Sequence, residues 1–359
     1  MGTSRQIKVG ILTAPHIEWE QRENTFVLKR VRIGIGFHWD RHEDQEFQGT
    51  LTIRNNPDGT QTAINTLDLE DYLCSVISSE MNADSPMELL KAHAVISRSW
   101  AIRAIENYNS PTSNHPFFHV CADDHCQRYE GIRRMNQRAV EAVRATTGQV
   151  LLYGDEICDC RYHKCCGGRT EIWRTCWEDI DVPYIRSVEC KYCNPSYIEK
   201  SLLHHTSLLH TCLNDYDQET TDFHDWKVTY TAEELAQIIR AKSGIDFGEI
   251  IDLVPLHRGP SGRIDSLRIV GSKHTEVIGK ELKIRLWLSR TCLYSSWFEV
   301  KKTLNSQLSI VNYQLVGHGW GHGAGLCQIG AAVMAAEGHS YQDILAHYYA
   351  NSRLSVAAQ

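Results

Sequence analysis

The first part of the chain alternates apolar and polar residues, as half-buried β-strands do. Val31, Ile33 and Ile35 fall on one face of an extended chain, because successive side chains of a strand point to opposite faces. Residues 55–59 (Asn-Asn-Pro-Asp-Gly) are turn formers between two further strand-like stretches. The pattern therefore predicts a β-rich segment over residues 1–65.

Apolar residues then recur near helical spacing from residue 89 to residue 105. Just before them, Ser85, Pro86 and Glu88 have the order of a capping box with proline at the first helical position. We predict a long, central and mostly buried helix from residue 86 to about residue 108.

Shorter periodic stretches complete the pattern. Further helices are predicted over residues 138–147, 231–242, 328–337 and 340–347, with Thr231 and Ser340 as N-caps. A hairpin is predicted over residues 150–162, and residues 250–300 are again strand-like. The fold class is therefore expected to be α+β.

Composition and charge narrow the range of functions. The 359 residues are 42% hydrophobic and 23% charged, which is ordinary for a globular protein. A net charge of -7 and the lack of a basic run with interleaved aromatic residues argue against a nucleic-acid partner. No apolar run approaches the ~20 residues that span a bilayer, and the first residues lead into a strand-like stretch without an export signal.

Residues 317–330 are the most unusual stretch, with six glycines among fourteen residues. A glycine in a helix interior costs roughly 1 kcal/mol relative to alanine, so this is a loop that needs positive φ angles or close approach by another group. The loop alone supports a ligand-binding loop and a connecting turn equally. His318 and His322 are expected to hydrogen-bond a substrate, since the intervening glycines exclude a helical metal motif. Trp320 offers an apolar face for a sugar ring, and Gln328 caps the next helix or reaches the same ligand.

Four potential metal ligands lie close together in the sequence: His115, Cys121, His125 and Cys126. Two thiolates and two imidazoles are the ligand set of a closed tetrahedral zinc site. A long polar loop gains the most stability from a bound ion that ties its distant parts together. His119 is an alternative to His115, and a loop with free thiols is the competing interpretation. We predict a structural zinc ion here.

The other cysteines are harder to assign. Thirteen cysteines, an odd number with an adjacent pair, favour metal ligation or free thiols over a full set of disulfides. Cys190 and Cys193 have zinc-knuckle spacing, but a single pair is a weak signal. We therefore assign no metal to the second group, which comprises His163, Cys165, Cys166, Cys176, Cys190 and Cys193, nor a role to Cys158 and Cys160.

Glu80 follows an apolar stretch and precedes the predicted long helix. Burial there would favour the protonated carboxyl, while a helix N-terminus would favour the carboxylate. A carboxyl balanced in this way suits a general acid that acts on an ether oxygen. On local sequence alone a salt-bridged or solvated glutamate is better supported, and Glu70 and Asp71 are interpreted as surface charges.

Ordered blocks of the sequence resemble the stage II sporulation protein D family (SpoIID/LytB). The blocks, in chain order, are residues 69–73 (LEDYL), 80–81 (EM), 90–101 (LKAHAVISRSWA), 126–131 (CQRYEG), 167–170 (GGRT), Trp177, 183–185 (PYI), 261–263 (SGR), 317–323 (GHGWGHG) and 347–349 (HYY). Departures are His93 where glutamine is usual, Trp100 where tyrosine is usual, and Cys165-Cys166 where serines are common. The likeness covers about residues 66–353, which we expect to form one domain after the β-rich segment.

The resemblance implies a cell-wall protein. The sporulation member is a lytic transglycosylase that cuts peptidoglycan strands, and the LytB member is regarded as an enhancer of an amidase. The family's catalytic glutamate falls on Glu80, and the structural zinc that some members carry maps onto the four ligands proposed above. We expect Glu80 to act as acid and then base, with Arg98 steadying the acid or a sugar group.

A glycan cleft is expected between the long helix and the β-rich segments. Its expected substrate-binding residues are Gly167, Gly168, His318, Gly319, Trp320, His322, Gly323 and Gln328. The competing function is a non-catalytic glycan-binding enhancer of a cell-wall amidase. A weaker alternative is an amidase with catalytic zinc. In each case the protein is expected outside the cytoplasm, periplasmic or secreted, with an export signal that lies outside this sequence.

Overall fold

The computed structural model describes residues 5–35, 40–110, 115–123, 125–201, 224–305 and 310–357. Within these ranges the strands are β1 Gln6–Ala14, β2 Trp19–Gln21, β3 Thr25–Ile33, β4 Arg41–Gln48, β5 Thr50–Asn55, β6 Gln61–Asp68, β7 Val120–Cys121, β8 Gln149–Tyr153, β9 Glu156–Ile157, β10 Tyr162–His163, β11 Asp225–Thr231, β12 Ile250–Arg258, β13 Ile264–Gly271, β14 Thr275–Ile278, β15 Phe298–Asn305, β16 Ile310–His318, β17 Leu326–Cys327 and β18 Arg353–Val356. The helices are α1 Leu69–Glu80, α2 Met87–Glu106, α3 Gln137–Ala145, α4 Trp173–Cys176, α5 Pro195–Ser201, α6 Ala232–Ser243, α7 Glu281–Trp287, α8 Gln328–Ala336 and α9 Tyr341–Tyr348. A 3₁₀ turn covers Lys191–Cys193.

The N-terminal strands form two sheets, as the alternating pattern predicts. One has the order β5-β6-β1-β7 and the other β2-β3-β4. Strand β1 pairs antiparallel with β6, and its residues Ile7 and Val9 are fully buried. The short parallel pairing of β1 with β7 attaches the loop of expected metal ligands to this sheet.

Helix α1 is not predicted by the sequence pattern, which treats residues 69–80 as a lead-in to the long helix. Asp68 caps it by accepting a hydrogen bond from the Glu70 backbone N–H. Most of its residues are buried, on more than one side. A helix without a broad polar stripe shows little helical period in its sequence, which explains the wrong prediction.

The long helix α2 is confirmed within two residues at each end, but its predicted capping box is wrong. Pro86 is the N-cap and no side chain caps the helix. Ser85 is buried, and the Glu88 carboxylate accepts hydrogen bonds from Lys91 Nζ and from the Tyr341 backbone N–H. Glu88 thus joins α2 to the start of α9. The N-caps predicted at α6 and α9 are both confirmed as capping boxes.

A second hydrophobic core lies between residues 226 and 315. It is enclosed by the sheets β11-β16-β15 and β12-β13-β14 with α6 and α7. The first core takes in the N-terminal sheets, α1, α2, α3, α8 and α9. The predicted α+β class is confirmed.

The boundary proposed at residue 65 lies inside β6, and the division into domains stays a prediction.

Among the described residues, the helices are too short or too polar to cross a bilayer.

Candidate functional site

Glu80 is the last residue of α1, and two donors hold its carboxyl group. Its Oε1 accepts a hydrogen bond from the Tyr162 hydroxyl at 2.9 Å and another from the Arg128 backbone N–H at 3.1 Å. The side chain is half-buried. The expected position before a helix N-terminus is therefore wrong, because Glu80 stands at the C-terminal end of α1. The negative end of the helix dipole disfavours a carboxylate there, whereas the hydrogen bonds from Tyr162 and Arg128 favour the carboxylate.

A buried contact chain joins Glu80 to the end of the glycine-rich loop. Tyr162, the donor to Glu80, lies edge-on to the His93 ring at 4.4 Å between centroids. His93 Nε2 lies 3.1 Å from Gln328 Nε2, and both side chains are buried. Burial lowers the pKa of His93 to about 3, so the ring is neutral and Nε2 accepts from the Gln328 amide. Gln328 therefore supports the site from behind and does not line a cleft.

Arg98 does not take the predicted catalytic position. Its Nε and Nη2 each donate to one carboxylate oxygen of Glu70 at 2.7 Å, and Nη1 donates to the Gln149 carbonyl. The arginine has no exposed surface. Glu70, interpreted from sequence as a surface charge, is thus the partner of a buried cation, and Arg98 ties α2 to α1 and β8.

The glycine-rich loop uses its glycines for both of the expected reasons. Gly319, Gly321, Gly323 and Gly325 all have positive φ, between 73° and 94°. At Gly325 a Cβ atom would overlap the Arg161 carbonyl oxygen. The close neighbours of this loop are protein groups, so much of it is a packed element and not an open ligand surface.

The two loop histidines have different environments. His318 is partly exposed, with Nδ1 at 2.5 Å from Asp225 Oδ1. His322 packs against the Trp177 ring at 4.9 Å, and burial, followed by the field of His163, lowers its pKa well below the usual range. His318 can therefore meet a solute directly, whereas His322 is a neutral ring that packs within the aromatic cluster.

The remaining predicted substrate residues meet one another at the loop. Gly167 lies against Gly319, where a Cβ on Gly167 would be 2.9 Å from the Gly319 nitrogen. Gly168 is half-exposed and faces His224. Trp320 exchanges backbone hydrogen bonds with Cys165 and packs on the Tyr294 ring. The GG and HG motifs, about 150 residues apart, are therefore neighbours in the fold.

An aromatic cluster beside Tyr162 was not predicted. The guanidinium of Arg161 lies over the rings of Trp177, Trp173 and Trp100, at 4.9, 5.3 and 5.9 Å from their centroids. Trp100 and Trp177 are half-buried. The sequence signal was weak, because these residues are spread over about 80 positions and only the fold brings them together.

The predicted zinc ligands are brought together. One ligand atom from each of His115, Cys121, His125 and Cys126 lies within 4.8 Å of the others. Hydrogen bonding with Cys126, and then with the two imidazoles, lowers the pKa of the Cys121 thiol. The alternative ligand His119 instead accepts a hydrogen bond from the Lys8 backbone N–H at 3.0 Å. The donor set and its spacing fit a tetrahedral zinc ion held by His115.

The loop of expected zinc ligands is connected to Glu80. Cys126 lies two residues before Arg128, whose backbone N–H donates to Glu80. A cavity of about 920 Å³ lies against this loop, but its lining residues do not include Glu80. The hydrogen bonds described for Glu80 connect it to Tyr162 and Arg128, and that of His318 connects it to Asp225. The glycan cleft between the helix and the β-rich segments therefore stays a prediction.

Comparisons with known proteins cover most of the chain. The model of the family described as stage II sporulation protein matches residues 57–153, and that of a domain of unknown function (DUF8618) matches residues 171–325. An uncharacterized protein of Brachyspira hyodysenteriae is 29% identical over 85% of this chain and 71% of its own length. Stage II sporulation protein D of Bacillus subtilis is 24% identical over 82% of this chain and 76% of its own length. The amidase enhancer of Bacillus subtilis is 26% identical, over 79% of this chain but 40% of its own length.

Proposed function

Because the chain belongs to the stage II sporulation protein D family (SpoIID/LytB), we propose that it acts on the cell wall as a peptidoglycan lytic transglycosylase. The observation that carries the proposal is the setting of Glu80. Two neutral donors, the Tyr162 hydroxyl and the Arg128 N–H, hold one carboxyl oxygen in a fixed place while the side chain stays partly accessible. An acid that must protonate one particular oxygen needs this kind of positioning.

The chemistry requires one carboxyl group. Glu80 donates its proton to the glycosidic oxygen as the bond from that oxygen to the anomeric carbon of N-acetylmuramic acid breaks. The resulting carboxylate takes the proton of the muramic C6 hydroxyl, whose oxygen bonds to the anomeric carbon and closes a 1,6-anhydro ring. The substrate supplies the nucleophile, so the second carboxylate of most glycosidases is not needed.

The substrate contacts proposed here follow from exposure. His318 and Gly168 are accessible, and the half-buried rings of Trp100 and Trp177 offer apolar faces of the kind that sugar rings pack on. Gly319, Trp320, His322 and Gly323 shape the loop that carries His318, Gly167 packs against that loop, and Gln328 begins the helix that follows it. We place the activity outside the cytoplasm, where peptidoglycan lies.

Zinc at His115, Cys121, His125 and Cys126 would serve the structure. Four protein ligands leave no open position for a substrate or an attacking water, which argues against the amidase with catalytic zinc. The ion would clip the loop that delivers the Arg128 N–H to Glu80.

The test is digestion of purified glycan strands stripped of stem peptides. The wild type should release fragments with 1,6-anhydro ends, detected by mass spectrometry. Glu80→Gln should lower the rate at least about 100-fold, because general acid–base catalysis contributes 10²–10⁴. The matched control is Glu106→Gln, a glutamate half-exposed beside Arg5 at the end of α2, which should cleave like wild type.

The second candidate function is a non-catalytic enhancer of a cell-wall amidase, favoured by the similarity to the amidase enhancer. It predicts that wild type and Glu80→Gln both give no anhydro ends, that both bind glycan equally, and that both stimulate an added amidase. Equal activity of the two proteins would reject the assignment of Glu80 instead. Activity that survives Glu80→Gln but is lost on chelation would point to catalytic zinc.

A further inference from the structure

Four cysteines from distant parts of the chain meet in the interior. Cys166, Cys190, Cys193 and Cys327 place their Sγ atoms within 4.8 Å of one another, and each residue is at most 1% exposed. The sequence motif of Cys190 and Cys193 showed only half of this set. Cys327 was hidden in the glycine-rich loop, where nothing in the spacing linked it to the others.

The sulfur spacing suits a single tetrahedral ion. Four thiolates at about 2.3 Å from zinc lie about 3.8 Å from one another, and Cys166 Sγ lies 3.3 Å from Cys193 Sγ. A four-iron cluster would spread its ligands further, because each sulfur binds a different iron atom. Thiolate-only surroundings select zinc or iron over harder cations.

Although the four cysteines lie within the first core, polar donors are in contact with their sulfur atoms. Cys327 is the N-cap of α8, and its Sγ accepts N–H bonds from Cys166 at 3.3 Å and Gly330 at 3.4 Å. The Tyr348 hydroxyl lies 3.2 Å from Cys190 Sγ. At Gly330 an added Cβ would lie 2.7 Å from Cys190 Sγ. The backbone donors and the N-terminus of α8 stabilise negative charge on sulfur, and Gly330 leaves space for the sulfur of Cys190.

We propose that Cys166, Cys190, Cys193 and Cys327 bind a second zinc ion as a buried tetrathiolate site. Four protein ligands make the site closed and structural.

The position of this site in the chain indicates its structural role. Cys166 and Cys327 are 161 residues apart and stand just outside the two ends of the segment matched at residues 171–325. Cys193 lies shortly before Ile198, the last described first-core residue ahead of the second core, and Cys327 lies shortly after Ala324, where the first core resumes. The ion would therefore fasten the chain close to the points where it leaves the first core and returns to it. It would also fix Cys327, the residue before Gln328, and so the contact of Gln328 with His93 behind Glu80.

Metal content tests this inference without reference to glycan cleavage, so its failure is distinct from failure of the proposed function. The chain purified without added metal should carry about two zinc ions by mass spectrometry, one for each site. Cys121→Ser with Cys126→Ser should keep one zinc, and its X-ray absorption should show four sulfurs at about 2.3 Å and no imidazole. Cys190→Ser should lose one zinc, whereas Cys74→Ser, at a buried cysteine of α1 outside both sets, should keep both.

Several results would overturn the proposal. These are a double variant without zinc or with nitrogen ligands, visible absorption from iron and sulfide, or mapped disulfides among the four cysteines. If a variant does not fold, the X-ray absorption of the wild-type protein still tests the proposal. Its zinc absorption should then average about three sulfurs and one nitrogen per ion, from one site of four thiolates and one of two thiolates with two imidazoles.

Discussion

At the scale of single residues, Tyr162 is the least expected participant in the site. Its hydroxyl donates to Glu80 at 2.9 Å, and its ring contacts His93. A hydrogen bond of this type contributes about 1 kcal/mol. We therefore expect Tyr162→Phe to lower the turnover of glycan cleavage by up to about tenfold with KM nearly unchanged, measured by the release of anhydro ends.

The matched control for Tyr162 is Tyr153→Phe, since Tyr153 is exposed on β8 and its ring lies tilted against that of Tyr184 at 5.8 Å between centroids. It should cleave at the wild-type rate. A Tyr162→Phe protein as active as this control would show that Glu80 does not depend on the hydroxyl.

The ion pair of Arg98 and Glu70 gives a second residue-level prediction. Glu70→Gln leaves a fully buried guanidinium without its carboxylate, and removal of one partner of a buried pair costs about 3–5 kcal/mol. We expect chemical denaturation to show a loss of about 3 kcal/mol of unfolding free energy. Cleavage per folded molecule should be retained, because the pair lies away from the donors to Glu80.

The exposed pair of Glu106 with Arg5 provides the comparison for Glu70. Glu106→Gln should change the unfolding free energy by less than about 1 kcal/mol. Lost cleavage with unchanged stability in Glu70→Gln would restore a functional role to Arg98.

The roles of residues could be predicted where all the side chains needed for one site lie close together in the sequence. The four expected zinc ligands stand within twelve positions, so two thiols and two imidazoles are recognisable without the fold. Arg98 could not be placed, because a helix residue faces whichever side the tertiary packing buries, and its partner Glu70 lies 28 residues away.

At the scale of elements, the glycine-rich loop tests whether backbone geometry holds the site. Gly325 has φ +75° and no room for a Cβ beside the Arg161 carbonyl, whereas Gly338, after α8, has φ +91° and open space around it. Gly338→Ala should cost about 1–2 kcal/mol from the left-handed backbone alone. Gly325→Ala should cost more than about 3 kcal/mol, measured by denaturation, because the backbone must also shift.

Equal losses for the two alanine variants would contradict the packed-loop description. They would instead favour an open loop, with its glycines kept for the approach of a ligand.

Helices and strands with a clear polar face were predictable, and the buried ones were not. Helix α6 shows both its capping box and its amphipathic face in the sequence. Helix α1 shows neither a broad polar stripe nor a capping box, so Glu80 was placed before a helix instead of at the end of one. For the same reason the electrostatic effect of the helix on the carboxyl was assigned the wrong sign.

At the scale of the whole molecule, His93 of α2 contacts Gln328 of α8 and Tyr162 of β10, the donor to Glu80. Because His93 is buried, the free energy of unfolding should depend on pH. The pKa of His93 is about 3 in the folded protein against an ordinary 6.5. Between these values the unfolded chain binds a proton that the folded chain does not, so stability falls as pH drops from 6.5 towards 3. The slope is about 1.4 kcal/mol per pH unit for this residue.

The variant that isolates this effect is His93→Gln, a residue usual at that place in the family. Between pH 7.5 and pH 5, urea unfolding should show the wild type losing about 2 kcal/mol more than the variant. Other buried histidines, such as His163, remain in both proteins and cancel. Parallel stability curves would mean that His93 titrates normally.

The overall arrangement could be predicted only in part. The α+β class followed from the periodic stretches, and the likeness to the family followed from ordered sequence blocks. The second hydrophobic core and the meeting of Cys166 with Cys327 required the fold, because contacts across 161 residues leave no periodic trace in the sequence.

The central claim is that Glu80 cleaves glycan by an intramolecular attack and not by hydrolysis. The most direct measurement is digestion of peptide-free glycan strands in H₂¹⁸O, followed by mass spectrometry of the new ends. The wild type and Glu106→Gln should give 1,6-anhydro ends without ¹⁸O, and Glu80→Gln should give almost none. New reducing ends that carry ¹⁸O, or no new ends from any of the three proteins, would contradict this claim.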